Sequence, residues 1–331
     1  MNKLWLSLLI LILSTYWAMA QDPQDKTLSD LNKPLIILPE DTMRYWKVGG
    51  FYNLQFNQNF FVNWLPGGNN STALNSILFT YANYAKKNIQ WRNNLKLAYG
   101  FSRTVDNITK EVSVSKTDDQ IEFHSDFLVK AFEKHWYWIV SLIAKTQFAP
   151  GFSQDDDSDI PTSRFAAPLY IYLGAGIAYS PDQFFNVGLM PAALKFTVVL
   201  DQRLADAGAY GVLNAVRDER GNIIVPGKNL RVQFGGMVTF YYLIEEIAEN
   251  LSFQTNFWLF VSYFGTTRNV STNWQGIFNL RLRKWLTASL NIQFFYDNQV
   301  GNIRVIDDLI QIERPRMQLK VVFTLNLQIT F

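Results

Sequence analysis

Residues 317–331, MQLKVVFTLNLQITF, decide the fold. Met317, Leu319, Val321, Phe323, Leu325, Leu327, Ile329 and Phe331 fall on one face of an extended chain, and Gln318, Lys320, Thr324, Asn326, Gln328 and Thr330 on the other; only Val322 breaks the polar row. Successive side chains of a strand point to opposite faces, so the segment reads as a two-sided strand. Strands of water-soluble domains run to about 5–6 residues, well short of this one. A strand that crosses a bilayer at a tilt needs roughly 9–11 residues, apolar toward lipid and polar toward a lumen.

The alternation recurs upstream. In residues 91–101, Trp91, Leu95, Leu97, Tyr99 and Phe101 oppose Arg92, Asn94, Lys96, Ala98 and Gly100; in 120–130, Ile121, Phe123, Phe127 and Val129 oppose Gln120, Glu122, His124, Asp126 and Lys130. Residues 230–241, 251–263, 274–283 and 286–296 read the same way. Less regular strands are expected at 45–64, 74–84, 136–148, 169–179 and 185–201, the last with a bulge at Pro191, which cannot donate to a ladder. Twelve strands in all predict an all-β, up-and-down antiparallel barrel closed on itself, the form in which no edge meets lipid.

The connections test this independently. Short ones are expected at 86–88, 132–134, 180–183, 245–250 and 283–285, and longer ones at 65–72, 103–117, 149–164, 202–228, 265–271 and 298–315. They alternate strictly, as periplasmic turns and extracellular loops do. Trp46, Trp91, Trp136 and Trp285 are expected on one rim, and Trp64, Tyr263 and Trp274 near the other, as interfacial girdles.

Composition agrees. The chain has 331 residues, a net charge of +2 and 48% hydrophobic residues, so neither bulk disorder nor the basic footprint of a nucleic-acid binder is expected. It contains no cysteine, which excludes disulfides, a thiolate nucleophile, a Cys-based zinc site and lipid attachment to cysteine. Lys3, the apolar run at 4–13 and Ala18-Met19-Ala20 read as a signal peptide over residues 1–20; an uncleaved anchor is the alternative, though the run is short for a span. Residues 21–44 then form a periplasmic tail and 45–331 an outer-membrane barrel.

Several short patterns resemble an uncharacterised outer-membrane β-barrel family of the Bacteroidota, a domain of unknown function. They are Trp46-Lys47-Val48-Gly49-Gly50, Asn57-Gln58, Asn63-Trp64 with Gly67-Gly68-Asn69, Tyr99-Gly100, Lys116-Thr117-Asp118-Asp119 and Thr146-Gln147-Phe148. The resemblance covers most of the mature chain, is strongest before Phe152, and implies an outer-membrane setting with no established reaction.

Period two assigns a lumen-facing set: Arg92, Lys96, Glu122, His124, Asp126, Lys130, Lys145, Lys195, Arg231, Arg281, Arg283 and Lys320. This lumen leans positive, which in an open pore favours anions. Bulky Tyr170, Tyr172, Trp258 and Phe260 are placed to narrow it, and twelve strands lie between the filled barrel of about 8 and the open channel of about 16. Glu122, His124 and Asp126 share one strand face, but neighbours two apart are roughly 7 Å apart, too far for one metal ion to collect all three unaided. Lys96 and Lys145 on flanking strands are natural partners for those carboxylates. The pairs Gly49-Gly50 and Gly67-Gly68 lack a phosphate-loop context and read as turn or bulge glycines, while Asp118-Asp119, Asp155-Asp156-Asp157, Asp159 and Asp307-Asp308 read as solvated loops.

The function expected is a narrow channel or binding pore for small polar or anionic solutes. The alternatives are a non-conducting barrel serving an envelope assembly, and a lipid-active enzyme. No catalytic residue, metal or cofactor is assigned. Expected partners are outer-membrane lipid, the barrel-assembly machinery through C-terminal Phe331 and an envelope protein, with no nucleic acid.

Overall fold

The structure, a computed structural model, describes residues 45–59, 70–106, 111–132, 134–152, 160–182, 184–264, 269–283, 285–301, 303–306 and 309–330. The expected signal peptide and tail, Trp64, Gly67-Gly68, Asp155-Asp156-Asp157, Asp159, Asp307-Asp308 and Phe331 lie outside the described residues.

Twelve strands form one closed barrel: β1 (Trp46–Asn59), β2 (Asn70–Lys86), β3 (Ile89–Val105), β4 (Val112–Lys130), β5 (Trp136–Thr146), β6 (Leu169–Tyr179), β7 (Phe185–Val198), β10 (Leu230–Ala248), β11 (Leu251–Ser262), β12 (Val270–Arg283), β13 (Leu286–Asp297) and β16 (Gln318–Thr330). Between β7 and β10 lie helix α1 (Gln202–Asp206) and the hairpin of β8 (Val216–Arg217) and β9 (Ile223–Val225); between β13 and β16 lies the hairpin of β14 (Ile303–Ile306) and β15 (Leu309–Ile312). Round the wall the order is β1, β16, β13, β12, β11, β10, β7, β6, β5, β4, β3, β2, with β2 returning to β1. Closure is made by Phe51 to Leu54 against Thr330 to Leu327, so the first and last strands of the chain satisfy each other's backbone groups.

Each expected strand is present, and the alternation of short and long connections holds. Several strands outrun their sequence signal. The β3–β4 ladder continues to Val105 and Val112, beyond the strands expected at 91–101 and 120–130, because backbone pairing does not require a continuous apolar face. Gly49 and Gly50 mark neither turn nor bulge; they pair regularly with Tyr81 and Thr80. Pro191 does sit in a bulge: Met190 and Ala193 oppose Met237 and Gly235 on β10, leaving two residues of β7 against one.

The outer face is apolar. On β16, Phe323 is 73% exposed and Leu325 57%, and Val48, Phe56, Trp138, Val140, Val232 and Leu282 extend the same surface round the wall. Burial of apolar groups drives folding in water, so a closed sheet with this exterior is built for an apolar solvent. Aromatic rings collect at the short-turn end, where Trp46 lies 5.2 Å from Tyr84 and 5.9 Å from Trp91, and Trp136 lies 5.0 Å from Tyr179. Phe234, Tyr263 and Phe264 cluster at the long-loop end; Trp274 sits four residues inside β12, against Phe294.

The interior is divided. A packed apolar block of Leu128, Tyr137, Ile139, Ile143, Tyr172, Met190, Met237, Trp258 and Phe260 fills the side toward β5, β6, β7, β10 and β11. Tyr172 and Trp258 meet at 4.8 Å across it, with Phe260 edge-on to Tyr172 at 6.0 Å. Above it, Ala167, Val199, Leu204, Ala205, Ala209 and Val212 make a second core among the long loops, which caps this side.

Candidate functional site

The other side of the lumen holds a cavity of about 540 Å³. Its wall comes from the inward positions of β1 to β5, β7, β10 to β13 and β16, and it runs from Asn83 and Arg92, near the short turns, to Asn75 and Asp118, near the long loops. Fourteen asparagine and glutamine side chains line it. They are there because the lumen-facing row of each strand must be polar without alternating into the lipid-facing one.

Six of the sequence-predicted residues reach the wall of this cavity: Arg92, Lys96, Glu122, His124, Asp126 and Lys320. Glu122 is the hub. Its Oε1 is 2.9 Å from Lys145 Nζ and 2.6 Å from His124 Nε2, and its Oε2 accepts from Gln120 Nε2 at 2.6 Å. Asp126 accepts from Ser141 Oγ at 2.6 Å, and Arg92 donates to Gln90 at 2.9 Å. Lys145 also lies 5.4 Å over the Trp258 ring, which ties this cluster to the packed block. Among the described residues, no three histidine, aspartate or glutamate side chains are grouped to hold a metal ion.

The remaining candidates lie elsewhere. Lys195 is buried against Ser271 and Asp297. Arg231 donates to the Gly211 carbonyl at 2.6 Å, anchoring the long loop. Lys130 and Arg283 are exposed at the short-turn ends of β4 and β12, with Arg281 beside the latter, and none of the three touches the cavity. The wall therefore carries Arg92, Lys96 and Lys320 against Asp118, Glu122 and Asp126. On this wall the positive lean expected from sequence is absent: Lys130, Arg281 and Arg283 lie at the rim, Lys145, Lys195 and Arg231 are engaged off the wall, and Asp118 adds a carboxylate.

Asp118 and Asp119 are not a solvated loop. Asp118 lines the cavity 3.3 Å from Lys320 Nζ, so β4 and β16 are bridged across three intervening strands of wall. Asp119 is buried, takes Lys116 Nζ at 2.8 Å, and accepts from the backbone N–H groups of Phe148 and Ala149 at 2.7 and 2.9 Å. A bulge at Thr117 turns these neighbours to different tasks. Thr117 Oγ1 donates to Asn75 at 2.6 Å, directly over Gly100, where a Cβ would collide with both side chains. Tyr99, Gly100, Lys116 to Asp119 and Phe148, separate in the sequence, thus meet at one corner of the long-loop mouth, with the Tyr99 and Phe148 rings 6.5 Å apart.

That corner falls within the stretch that matches a known family: residues 56–152 fit the family described as "Protein of unknown function (DUF3078)". No curated protein matches the chain. Among solved structures, the chain is similar to the COG4313 outer membrane channel from Pseudomonas putida F1, at 12% identity over 88% of this chain and 99% of that one, with a TM-score of 0.37. It is also similar to the NanC porin, at 7% identity over 83% of this chain and 98% of that one, with a TM-score of 0.35.

Proposed function

We propose that this protein is an outer-membrane barrel that admits small polar solutes to its lumen through a narrow, amide-lined passage beside the packed block. One observation carries the reading: polarity reverses across a single layer of wall. On β16, Val321, Phe323 and Leu325 are exposed on the apolar exterior while Lys320 and Thr324 line the cavity. Such a layer separates lipid from water. The cavity is of the size that holds a small ligand, roughly 300–1,000 Å³.

A barrel that binds or docks partners without conducting is the second reading, favoured by the apolar block and the loop core that cap one side. Reconstitution in planar bilayers separates the two. Small, regular conductance steps support the passage; silent bilayers containing demonstrably folded barrel favour the non-conducting form. Recovery of the protein in a water-soluble fraction, with no association with vesicles, ends both.

A further inference from the structure

The carboxylates of the cavity are already engaged. Glu122 is held by Lys145, His124 and Gln120, Asp118 by Lys320 and Asp126 by Ser141. An entering cation has to break one of these contacts to make its own, and the cations Arg92, Lys96 and Lys320 on the wall are offset by the carboxylates of Asp118, Glu122 and Asp126, so the wall gives little net attraction to either sign. Its most numerous polar group is the amide. A primary amide presents two donors and two acceptor lone pairs, which match hydroxyl groups that both donate and accept.

Two donors on β11 single out a ligand position. Gln254 is 1% exposed and Trp258 5% exposed, both line the cavity, and neither Gln254 Nε2 nor Trp258 Nε1 has a hydrogen-bond partner among the described residues. Buried polar atoms are normally paired, so orphans on a cavity wall mark where an outside acceptor belongs. Across the lumen, β1 and β2 present Phe51, Phe79 and Tyr81, with the first two rings stacked at 5.4 Å. An apolar wall facing a row of amides suits a solute with carbon-bound hydrogens on one face and hydroxyls at its edge.

We propose that the cavity binds a neutral polyhydroxylated solute, a small saccharide, whose hydroxyl oxygens accept from Gln254 and Trp258. This rests on the reading of the lumen as a solute-admitting site. It is tested by saturation-transfer NMR on the folded barrel in lauryldimethylamine oxide, a detergent without a sugar headgroup. Maltose, lactose, cellobiose and N-acetylglucosamine serve as neutral probes, and glucuronate and inorganic phosphate as anionic ones. Saturable binding of at least one neutral sugar is expected, weakened about tenfold by Gln254→Leu and by Trp258→Phe, with glucuronate and phosphate no better bound. Should either variant fail to fold, Asn256→Leu, a less buried position on the same face, takes its place. Wild-type affinity in the folded variants overturns the proposal. So does binding of the anions alone, which leaves the solute-admitting barrel intact. Failure of every probe to bind, together with silent bilayers, overturns both.

Discussion

Lys195 on β7 and Asp297, the last residue of β13, form an ion pair across the lumen although three strands of wall separate their own. Ser271 Oγ donates to the same carboxylate at 2.6 Å and accepts from Lys195 Nζ at 2.7 Å, and the Tyr170 and Tyr172 rings lie 5.5 and 5.7 Å from that ammonium. The bridge sits where the packed block meets the loop cap, so it fixes the width of the long-loop mouth on that side. Removing one partner strands a buried charge. Lys195→Met is expected to cost about 3–5 kcal/mol of stability, and the pair Lys195→Met with Asp297→Leu to recover most of it. Urea unfolding of the folded barrel in a double-mutant cycle measures this; single-variant costs that simply add in the double would show the two charges to be independent.

The two faces of β16 predict opposite tolerance to the same substitution. Phe323→Arg puts a charge on the exposed apolar exterior and is expected to cost about 2–4 kcal/mol at mid-depth in a bilayer. Thr324→Arg, one residue on, points into the polar cavity and is expected to change stability by less than about 1 kcal/mol. Equilibrium unfolding from lipid vesicles compares them, and equal costs would remove the assignment of inside and outside.

The strands that follow strict period two were legible because lipid-facing and lumen-facing demands leave no other arrangement of residues such as Phe323 and Lys320. Register shifts were not. Nothing local announces that Thr117 is the extra residue of a bulge, and Asp118 and Asp119 therefore read as solvent-facing loop when one lines the cavity and the other pins Phe148 and Ala149. Asp297 was within reach: carrying the inward series of β13 from Phe295 one step further reaches it. The site was misjudged for a different reason. Charged residues attract attention as candidate chemistry, whereas the most numerous polar side chains of the wall are amides such as Gln254 and Asn256, whose importance depends on which of them the fold leaves unpaired.

The loop that follows β7 is expected to loosen in acid. Asp201 caps α1 by accepting from the backbone N–H groups of Arg203 at 3.0 Å and Leu204 at 3.4 Å, while its other oxygen takes the Arg164 guanidinium at 3.0 Å. Burial pushes this carboxyl up, but the donors from Arg164, Arg203 and Leu204 outweigh it and hold it below the ordinary aspartate value. A depressed value means that the stabilisation is complete above the ordinary aspartate value of about 3.9 and is lost as pH falls through the lower folded value. Pepsin cleavage within residues 199–229 should therefore rise below about pH 4 in the wild type relative to Asp201→Asn, which keeps a cap but no titratable group. Asp201→Ala is expected to lose about 1 kcal/mol at pH 7 as well. Parallel cleavage profiles for wild type and Asp201→Asn would dissociate the loop from this carboxylate.

The bulge at Pro191 determines where Lys195 points. Met190 and Ala193 are both buried on the inward side although three positions apart, so the bulge resets the alternation and carries Lys195 and Thr197 inward with Ala193. A strand with strict alternation through this point would turn Lys195 to the apolar exterior. Two contacts hold the bulge. Gly176 on β6 lies so close beneath it that an added Cβ would fall on the Leu189 carbonyl oxygen and 2.7 Å from Met190 Cα, both backbone atoms with nowhere to move. From the other side, the Tyr263 hydroxyl donates to the Pro191 carbonyl at 2.9 Å. Gly176→Ala is expected to force the bulge open and weaken the folded barrel by as much as loss of Lys195 itself, about 3–5 kcal/mol. Tyr263→Phe removes one hydrogen bond and is expected to cost about 1 kcal/mol. If Gly176→Ala unfolds in urea at the wild-type midpoint, β7 has another way of bringing Lys195 to Asp297, and the glycine is not what the bulge depends on.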